Sequence, residues 1–234
     1  LKKDRIMELK KFRNFRFEKI DITNKKKLDI FFKKKKVSLI INLAAQAGVR
    51  YSLIKPTEYV DNNVLGFYNI ISVANKFKVK RIIYASSSSV YGDSVIFPLS
   101  EKQKIKPKNI YALSKKINEE MADVFSEQFK IYFVGLRFFT VYGEWGRPDM
   151  FMMKYLESSF NSSKKFYLNN FGNHYRDFTY INDVIKNLKI LLFTNLKKKH
   201  EIYNVCSGRP LNIKYILRKL IKQFGNPIIK KRKN

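Results

Sequence analysis

The chain has 234 residues, of which 45% are hydrophobic, enough for one or two domains with a packed core. Its single cysteine, Cys206, excludes an internal disulfide, and with only two separated histidines it offers no metal-ligand cluster, as befits a reducing cytosol. No run approaches the roughly 18 apolar residues of a bilayer span, and the charged first residues do not read as a signal peptide, so a soluble, cytoplasmic protein without membrane insertion is expected. A net charge of +29 attracts polyanions without selectivity. Lysine is nevertheless spread along the whole chain, with runs at 33–36, 197–199 and 230–233, beside abundant Asn, Ile and Phe. That pattern reads as a compositional bias, and no specific nucleic-acid partner is expected.

Taken in order, residues 1–16 carry Ile6, Leu9 and Phe12 at helical spacing, and 17–22 change rhythm to a short strand ending near Asp21. Residues 25–36 predict a helix through Leu28, Phe31 and Phe32, and the apolar, β-branched run 37–43 a strand buried on both faces. A long helix follows over 56–75, opened by Pro56, then a strand over 80–85, a helix over 109–129 and a strand over 131–138. This alternation predicts an α/β fold, a Rossmann-like parallel sheet with helices on both faces. After Gly143 the beat loosens into a helix at 150–160, a strand at 165–168, a helix at 182–193, a strand at 201–205 and a helix at 212–224. The expected division is a first domain over 1–143 and a smaller mixed α/β lobe over 144–234 ending in a basic tail. His174 and His200 read as surface histidines, Cys206 as filler of a small buried site, and Phe151, Met152 and Met153 as packing. Gly225 and Pro227 read as a helix stop.

In an open α/β sheet, ligands bind beyond the carboxyl ends of the strands, and the polar strings cluster there: 21–22, 44–48, 86–89 and 140–143. The strongest constellation is Ser86-Ser87-Ser88-Ser89-Val90-Tyr91-Gly92 at a strand end, followed by Tyr111-Ala112-Leu113-Ser114-Lys115. Tyr and Lys four apart share one helix face. A phenol, with an unperturbed pKa of about 10, serves as a base near neutrality only where a neighbouring ammonium favours its anion. A serine hydroxyl within reach can share the substrate's proton.

These residues resemble the extended short-chain dehydrogenase/reductase proteins, the NAD-dependent epimerase/dehydratase family, and among them most of all the UDP-glucuronate 4-epimerases. The resemblance rests also on Asn42-Leu43-Ala44-Ala45-Gln46-Ala47-Gly48-Val49-Arg50-Tyr51-Ser52, Leu136-Arg137-Phe138-Phe139-Thr140-Val141-Tyr142-Gly143, Trp145-Gly146-Arg147-Pro148-Asp149-Met150 and Arg176-Asp177-Phe178-Thr179-Tyr180. It implies bound NAD, a UDP-sugar substrate and 4-epimerisation through transient oxidation at C4. The catalytic set it implies is Ser87, Tyr111 and Lys115, with Tyr111 as base, Ser87 sharing the proton and Lys115 supporting Tyr111 while holding the nicotinamide ribose. Asp21 and Ile22 match positions that hold adenine. Leu43, Ala44, Ala45 and Asn62 match the cofactor-lining strand end and helix, and Phe139 the approach to nicotinamide. Ser88, Ser89, Thr140, Arg147 and Arg176 match substrate positions, with Arg147 facing the sugar and Arg176 the diphosphate, where a planar guanidinium donates two parallel hydrogen bonds. Dimerisation through two helices, including 109–129, is common in the family and implies a homodimer.

The sequence departs from the family pattern at its ends. No glycine precedes Gly48, so the Gly-x-x-Gly-x-x-Gly turn that cradles the cofactor pyrophosphate has no counterpart, and the first strands of the family sheet are expected to be missing. Late Arg and Asp positions that grip the nucleotide have no counterpart after Asn212, and Asn182 stands where an Asp is common. A dehydratase would carry an Asp-Glu pair beside the catalytic hydroxyl. Ser87-Ser88-Ser89-Val90 holds no carboxylate, which favours epimerisation. The alternatives are an inactive remnant with a polyanion-binding surface, or a related dehydratase or decarboxylase.

Overall fold

A computed structural model describes residues 2–94 and 96–232; Leu1, Val95, Asn234 and Lys233, the end of the last lysine run, lie outside them. The chain opens with α1 (Lys2–Lys10), which buries no side chain. Residues 17–22, expected as a strand, are irregular and enter a turn at Ile22, and no described strand pairs with them. A strand exists only with a neighbour to hydrogen-bond. Asn24 then caps α2 (Lys25–Lys34), accepting from the Lys27 amide at 3.1 Å. β1 (Leu39–Asn42) leads to α3 (Val49–Ile54), which the sequence reading had not resolved.

The helix expected over 56–75 is one uninterrupted helical run with a π-helical turn (Val60–Leu65) between α4 (Pro56–Tyr59) and α5 (Gly66–Lys76). β2 (Arg81–Ser87) passes into a 3₁₀ turn (Ser88–Tyr91), and α6 (Ile110–Phe129) is capped by Asn109, which accepts from Ala112 N at 2.9 Å. Then come β3 (Tyr132–Phe138), β4 (Thr140–Tyr142), α7 (Phe151–Phe160), β5 (Phe166–Asn169), β6 (Tyr175–Tyr180) and α8 (Ile181–Phe193). β7 (His200–Val205), β8 (Pro210–Asn212), α9 (Ile213–Phe224) and β9 (Ile229–Arg232) complete the order.

Two compact units emerge. The larger comprises residues 10–138 and 193–205. Its sheet is four parallel strands in the order β1-β2-β3-β7, flanked by helices. Ile82, Tyr84 and Phe133 pack with Leu28, Phe32, Phe67, Ile70 and Ala122 from α2, α5 and α6. Ile83 and Val134, which point to the opposite face, are also fully buried, so the central strands are buried on both sides, as their continuous apolar runs predict. The smaller unit comprises 2–9, 139–192 and 206–232 of the described residues. It holds a three-stranded sheet, β4-β6-β8, and the parallel pair β5-β9. Its core is Tyr155, Phe166, Leu168, Phe178, Ile213, Ile216 and Leu217, with Phe151 and Met152 packed against it.

The units are therefore not the contiguous spans 1–143 and 144–234. The chain crosses at 138/139, and β7 returns because its backbone pairs with β3 from Phe133↔His200 to Phe138↔Val205. That return also corrects the reading of His200. Its side chain is 7% exposed, with Nε2 2.8 Å from the Tyr84 hydroxyl and Nδ1 3.2 Å from Asp123 Oδ1. Cys206 is half-buried. Gly225 does end α9, at φ +81°. Part of the tail read as merely basic is β9.

The β2–β3 register sets Tyr84 opposite Gly135, and the ring lies over that glycine. A Cβ at 135 would sit 2.6 Å from Tyr84 Oη. Gly135→Ala is expected to destabilise the chain by about 1–3 kcal/mol, read as a lower urea midpoint at unchanged m-value; an unchanged midpoint would show that Tyr84 yields freely.

Candidate active site

α6 packs against β2 and the 3₁₀ turn that follows it. Its first two turns carry Tyr111, half-buried, and Lys115, which is 3% exposed. Lys115 Nζ donates to the Ala85 carbonyl at 2.7 Å, two residues before the end of β2. Burial lowers its pKa to about 8. The fully buried Tyr59 meets the Tyr111 ring edge-on, with centroids 6.1 Å apart, and is itself held by donating to Gly48 O at 2.6 Å. At the end of β2, Ser87 is 6% exposed and its Oγ accepts from Ser89 N at 3.2 Å, which starts the turn bearing the half-buried Ser88 and Ser89. Gly92 closes that turn at φ +64°, and a Cβ there would overlap the Lys106 carbonyl. The fold thus brings Ser87 and Lys115 to one helix–strand junction, with Tyr111 one turn before Lys115 on the same helix.

The sequence reading missed the buried amides behind this junction. Asn63, 1% exposed, accepts from Gln46 N at 2.7 Å and donates to Gln46 O at 3.0 Å and to Ser114 Oγ at 2.9 Å. Ser114 Oγ donates in turn to Tyr111 O at 2.8 Å. Asn118, with its amide nitrogen turned toward the Ser114 and Asn63 carbonyls, donates at 3.1 and 2.7 Å. Asn62, the residue expected to line the cofactor, is half-buried and bonds locally to Glu58 O at 2.7 Å. The π turn sets the phase that sends Asn63 inward, and nothing in the residue pattern announces that turn.

The residues expected on the nucleotide side sit in the same unit. Asp21 is exposed, and its Oδ1 accepts from Thr23 N at 2.9 Å and Thr23 Oγ1 at 2.8 Å, bonds that hold its carboxyl below the ordinary value. Ile22 is pinned by Asn69 Nδ2, which donates to Ile22 O at 3.0 Å and Thr23 O at 3.1 Å, and its side chain lies over Gly66. Leu43 and Ala44 are exposed and Ala45 is half-buried, directly beyond β1. They offer small apolar surface of the kind a planar ring system covers.

In the smaller unit, Phe139 is half-buried beside β4. Thr140 and Arg147 line one small cavity with Gly143, Gly146, Met150 and Phe151. Arg147 is exposed and forks onto Asp149, Nε to Oδ1 at 3.0 Å and Nη2 to Oδ2 at 2.5 Å. Arg176, exposed on β6, is not part of that cavity; its Nη1 donates to Tyr175 O at 3.2 Å. Its neighbour Asp177, which the sequence reading passed over, is 8% exposed and accepts from Ser207 N at 2.8 Å and Arg209 N at 3.1 Å.

Residues 2–206 match the profile of the NAD dependent epimerase/dehydratase family. An uncharacterized protein of Methanocaldococcus jannaschii is 41% identical over 233 residues, 99% of this chain and 70% of its own length. UDP-glucuronate 4-epimerase 4 of Arabidopsis thaliana is 36% identical over 229 residues, covering 92% of this chain; the chain spans 52% of that protein. The crystal structure of UDP-glucuronic acid 4-epimerase from Bacillus cereus, in complex with UDP-glucuronic acid and NAD, superposes with a TM-score of 0.90 at 30% identity. It covers all of this chain, which spans 73% of it.

The burial of Lys115 has a measurable consequence in this chain alone. Between pH 8 and 10.5 the unfolded state holds more protons at Lys115 than the folded state does, so its contribution makes stability rise with pH through that window. Lys115→Met removes the penalty and is expected to stabilise the unliganded chain at pH 7 by up to about 3 kcal/mol, with the gain vanishing near pH 10.5. Urea unfolding of both proteins at the two pH values measures it; an equal gain at both would assign the effect to packing.

Proposed function

The chain belongs to the NAD dependent epimerase/dehydratase family, and on that premise we propose that it epimerises C4 of a UDP-sugar, with UDP-glucuronate as substrate and UDP-galacturonate as product. The observation that carries this reading is the junction of Tyr111 and Lys115 with Ser87, in a turn, Ser87 to Val90, that holds no carboxylate for elimination of water. The residues present fit NAD. Lys115 is a buried cation whose hydrogen bond goes to a single backbone carbonyl and whose pKa is moved by burial alone, an arrangement suited to donating to ribose hydroxyls. Asp21 and Ile22 would hold its adenine, Leu43, Ala44, Ala45 and Asn62 would line it at the strand end and helix, and Phe139 would meet its nicotinamide. When bound, NAD would supply the reversible hydride chemistry at C4.

The chain's own residues handle the protons and the orientation. Tyr111 takes the proton of the 4-hydroxyl at its phenolic oxygen and gives it back, and Ser87 Oγ shares that proton. Lys115 stands one helical turn away on the same face and keeps a cation beside the reacting hydroxyls. Ser88 and Ser89 offer hydroxyls to the sugar. Thr140 and Arg147 meet its C6 end, where Arg147 exchanges the Asp149 carboxylate for that of the sugar. Arg176 takes the diphosphate. Exposed Tyr68 on α5 and Leu113 and Val124 on α6 support a homodimer through these helices.

The test is incubation of the chain with NAD and UDP-glucuronate, followed by chromatography and mass spectrometry. The expected product has unchanged mass and the retention of UDP-galacturonate, and Tyr111→Phe is expected to lower kcat by about 10²- to 10⁴-fold. A product lighter by the mass of carbon dioxide would replace epimerisation with decarboxylation, and loss of water from UDP-glucose, offered in a parallel incubation, would replace it with dehydration.

A further inference from the structure

Tyr111, Lys115 and Glu119 form one row along α6, at successive steps of four. The hydrogen bonds of Glu119 among the described residues go to Ser86 and Arg137 and to no candidate substrate or cofactor residue; it is 4% exposed and pairs with Arg137, which is 3% exposed. Arg137 Nε donates to Glu119 Oε1 at 2.9 Å and Nη2 to Oε2 at 2.7 Å. The β2–β3 register places Ser86 directly opposite Arg137, and Ser86 Oγ donates to the same Glu119 Oε1 at 2.5 Å. On its other side Arg137 Nη1 donates to the Tyr91 hydroxyl at 2.9 Å and to Glu101 O at 3.3 Å, and the guanidinium lies 4.9 Å from the centre of the Tyr91 ring. Tyr91 passes its own proton to Asn204 Oδ1 on β7 at 2.7 Å. Burial opposes the Arg137 charge, but Glu119 and Tyr91 outweigh it and hold the guanidinium above its usual range.

A buried ion pair is poor evidence of stabilisation, because apolar residues of similar volume often serve as well or better. What this pair does is geometric. Ser86 immediately precedes Ser87, Tyr91 ends the turn that carries Ser88 and Ser89, and Glu119 lies one turn beyond Lys115. We propose that Glu119 and Arg137 are positioning residues that fix the Ser87–Ser89 turn against Tyr111 and Lys115, acting through the Ser86 and Tyr91 hydroxyls. The proposal rests on the epimerase reading for its consequence in catalysis, while the geometry it describes belongs to the chain as it stands.

Three variants test it: Ser86→Ala and Tyr91→Phe, which each remove one hydroxyl and leave the ion pair, and the double variant Glu119→Met with Arg137→Met. Amide exchange by mass spectrometry reads the turn without any turnover. Loss of one buried hydrogen bond is expected to speed exchange across 86–92 by about five- to tenfold while the second half of α6 keeps its protection. With NAD and UDP-glucuronate, kcat is expected to fall about 10- to 100-fold in the double variant and less in the single ones, with KM held. Should the double variant fail to fold, the two hydroxyl variants decide alone. Unchanged exchange across 86–92, or faster exchange with unchanged kcat, overturns the proposal, as does a fall in kcat that merely tracks Tm. If the wild-type chain turns over no UDP-sugar, the epimerase reading fails, and exchange alone decides whether the pair holds the turn.

Discussion

The parallel ladder between β2 and β3 runs over seven register positions, from Arg81↔Tyr132 to Ser87↔Phe138, and most of the site's geometry follows from it. The register sets Tyr84 over Gly135, which leaves the ring room to reach His200 on the next strand. Two positions later it sets Ser86 beside Arg137, so that one carboxylate from α6 receives both. Slipping a strand by one residue would send every side chain to the opposite face, and Ser87 would leave the junction it shares with Tyr111 and Lys115. Apolar burial on both faces of these strands makes such a slip costly, so the hydrophobic core secures the alignment on which the polar chemistry depends.

Two buried cations are treated in opposite ways. Arg137 is fully partnered by a carboxylate, a phenol and a carbonyl, and its charge is secure. Lys115 has, among the described residues, a carbonyl as its hydrogen-bond partner, and burial pulls its pKa down. A group left short of partners inside a fold has its environment set for something other than stability, and perturbed groups of this kind cluster at functional sites. Against these two, most ion pairs of this highly charged chain, such as Lys199 with Glu127, lie at the surface, where water and salt leave them little energetic weight. The large positive charge therefore shapes solubility and nonspecific attraction, and the site is governed by a few buried groups.

The smaller unit shows the same economy with shorter elements. Asp177 ties β6 to the loop before β8 through two backbone amides, fixing the strand that carries Arg176. Gly143 and Gly146 give the cavity around Thr140 and Arg147 its walls. Arg147 is held open on the surface by its fork onto Asp149, a pairing exposed enough to be exchanged for a ligand's carboxylate at modest cost.

What the sequence determined by itself is whatever depends on neighbours along the chain. Helical and strand periodicity gave α2, α6, α7, α9 and the central strands to within a few residues, and the alternation of elements gave the sheet its parallel sense. Ser87, Tyr111 and Lys115 stood out as candidates because their residue types sit in short strings, at helical or strand-end spacing. The tertiary structure decided what depends on partners far away in sequence. Residues 17–22 have the rhythm of a strand but pair with no described strand. His200 looks like a surface histidine until β7 returns beside β3. Asn63 points inward, and Asn62 does not, because a π turn shifts the helix phase where packing demands it. Glu119 and Arg137, 18 residues apart, become partners only through the register of two strands and the helix laid across them. Periodicity records which face of an element is apolar; it does not record which polar groups meet once those faces are buried, because that is fixed by hydrogen-bond satisfaction in the assembled core.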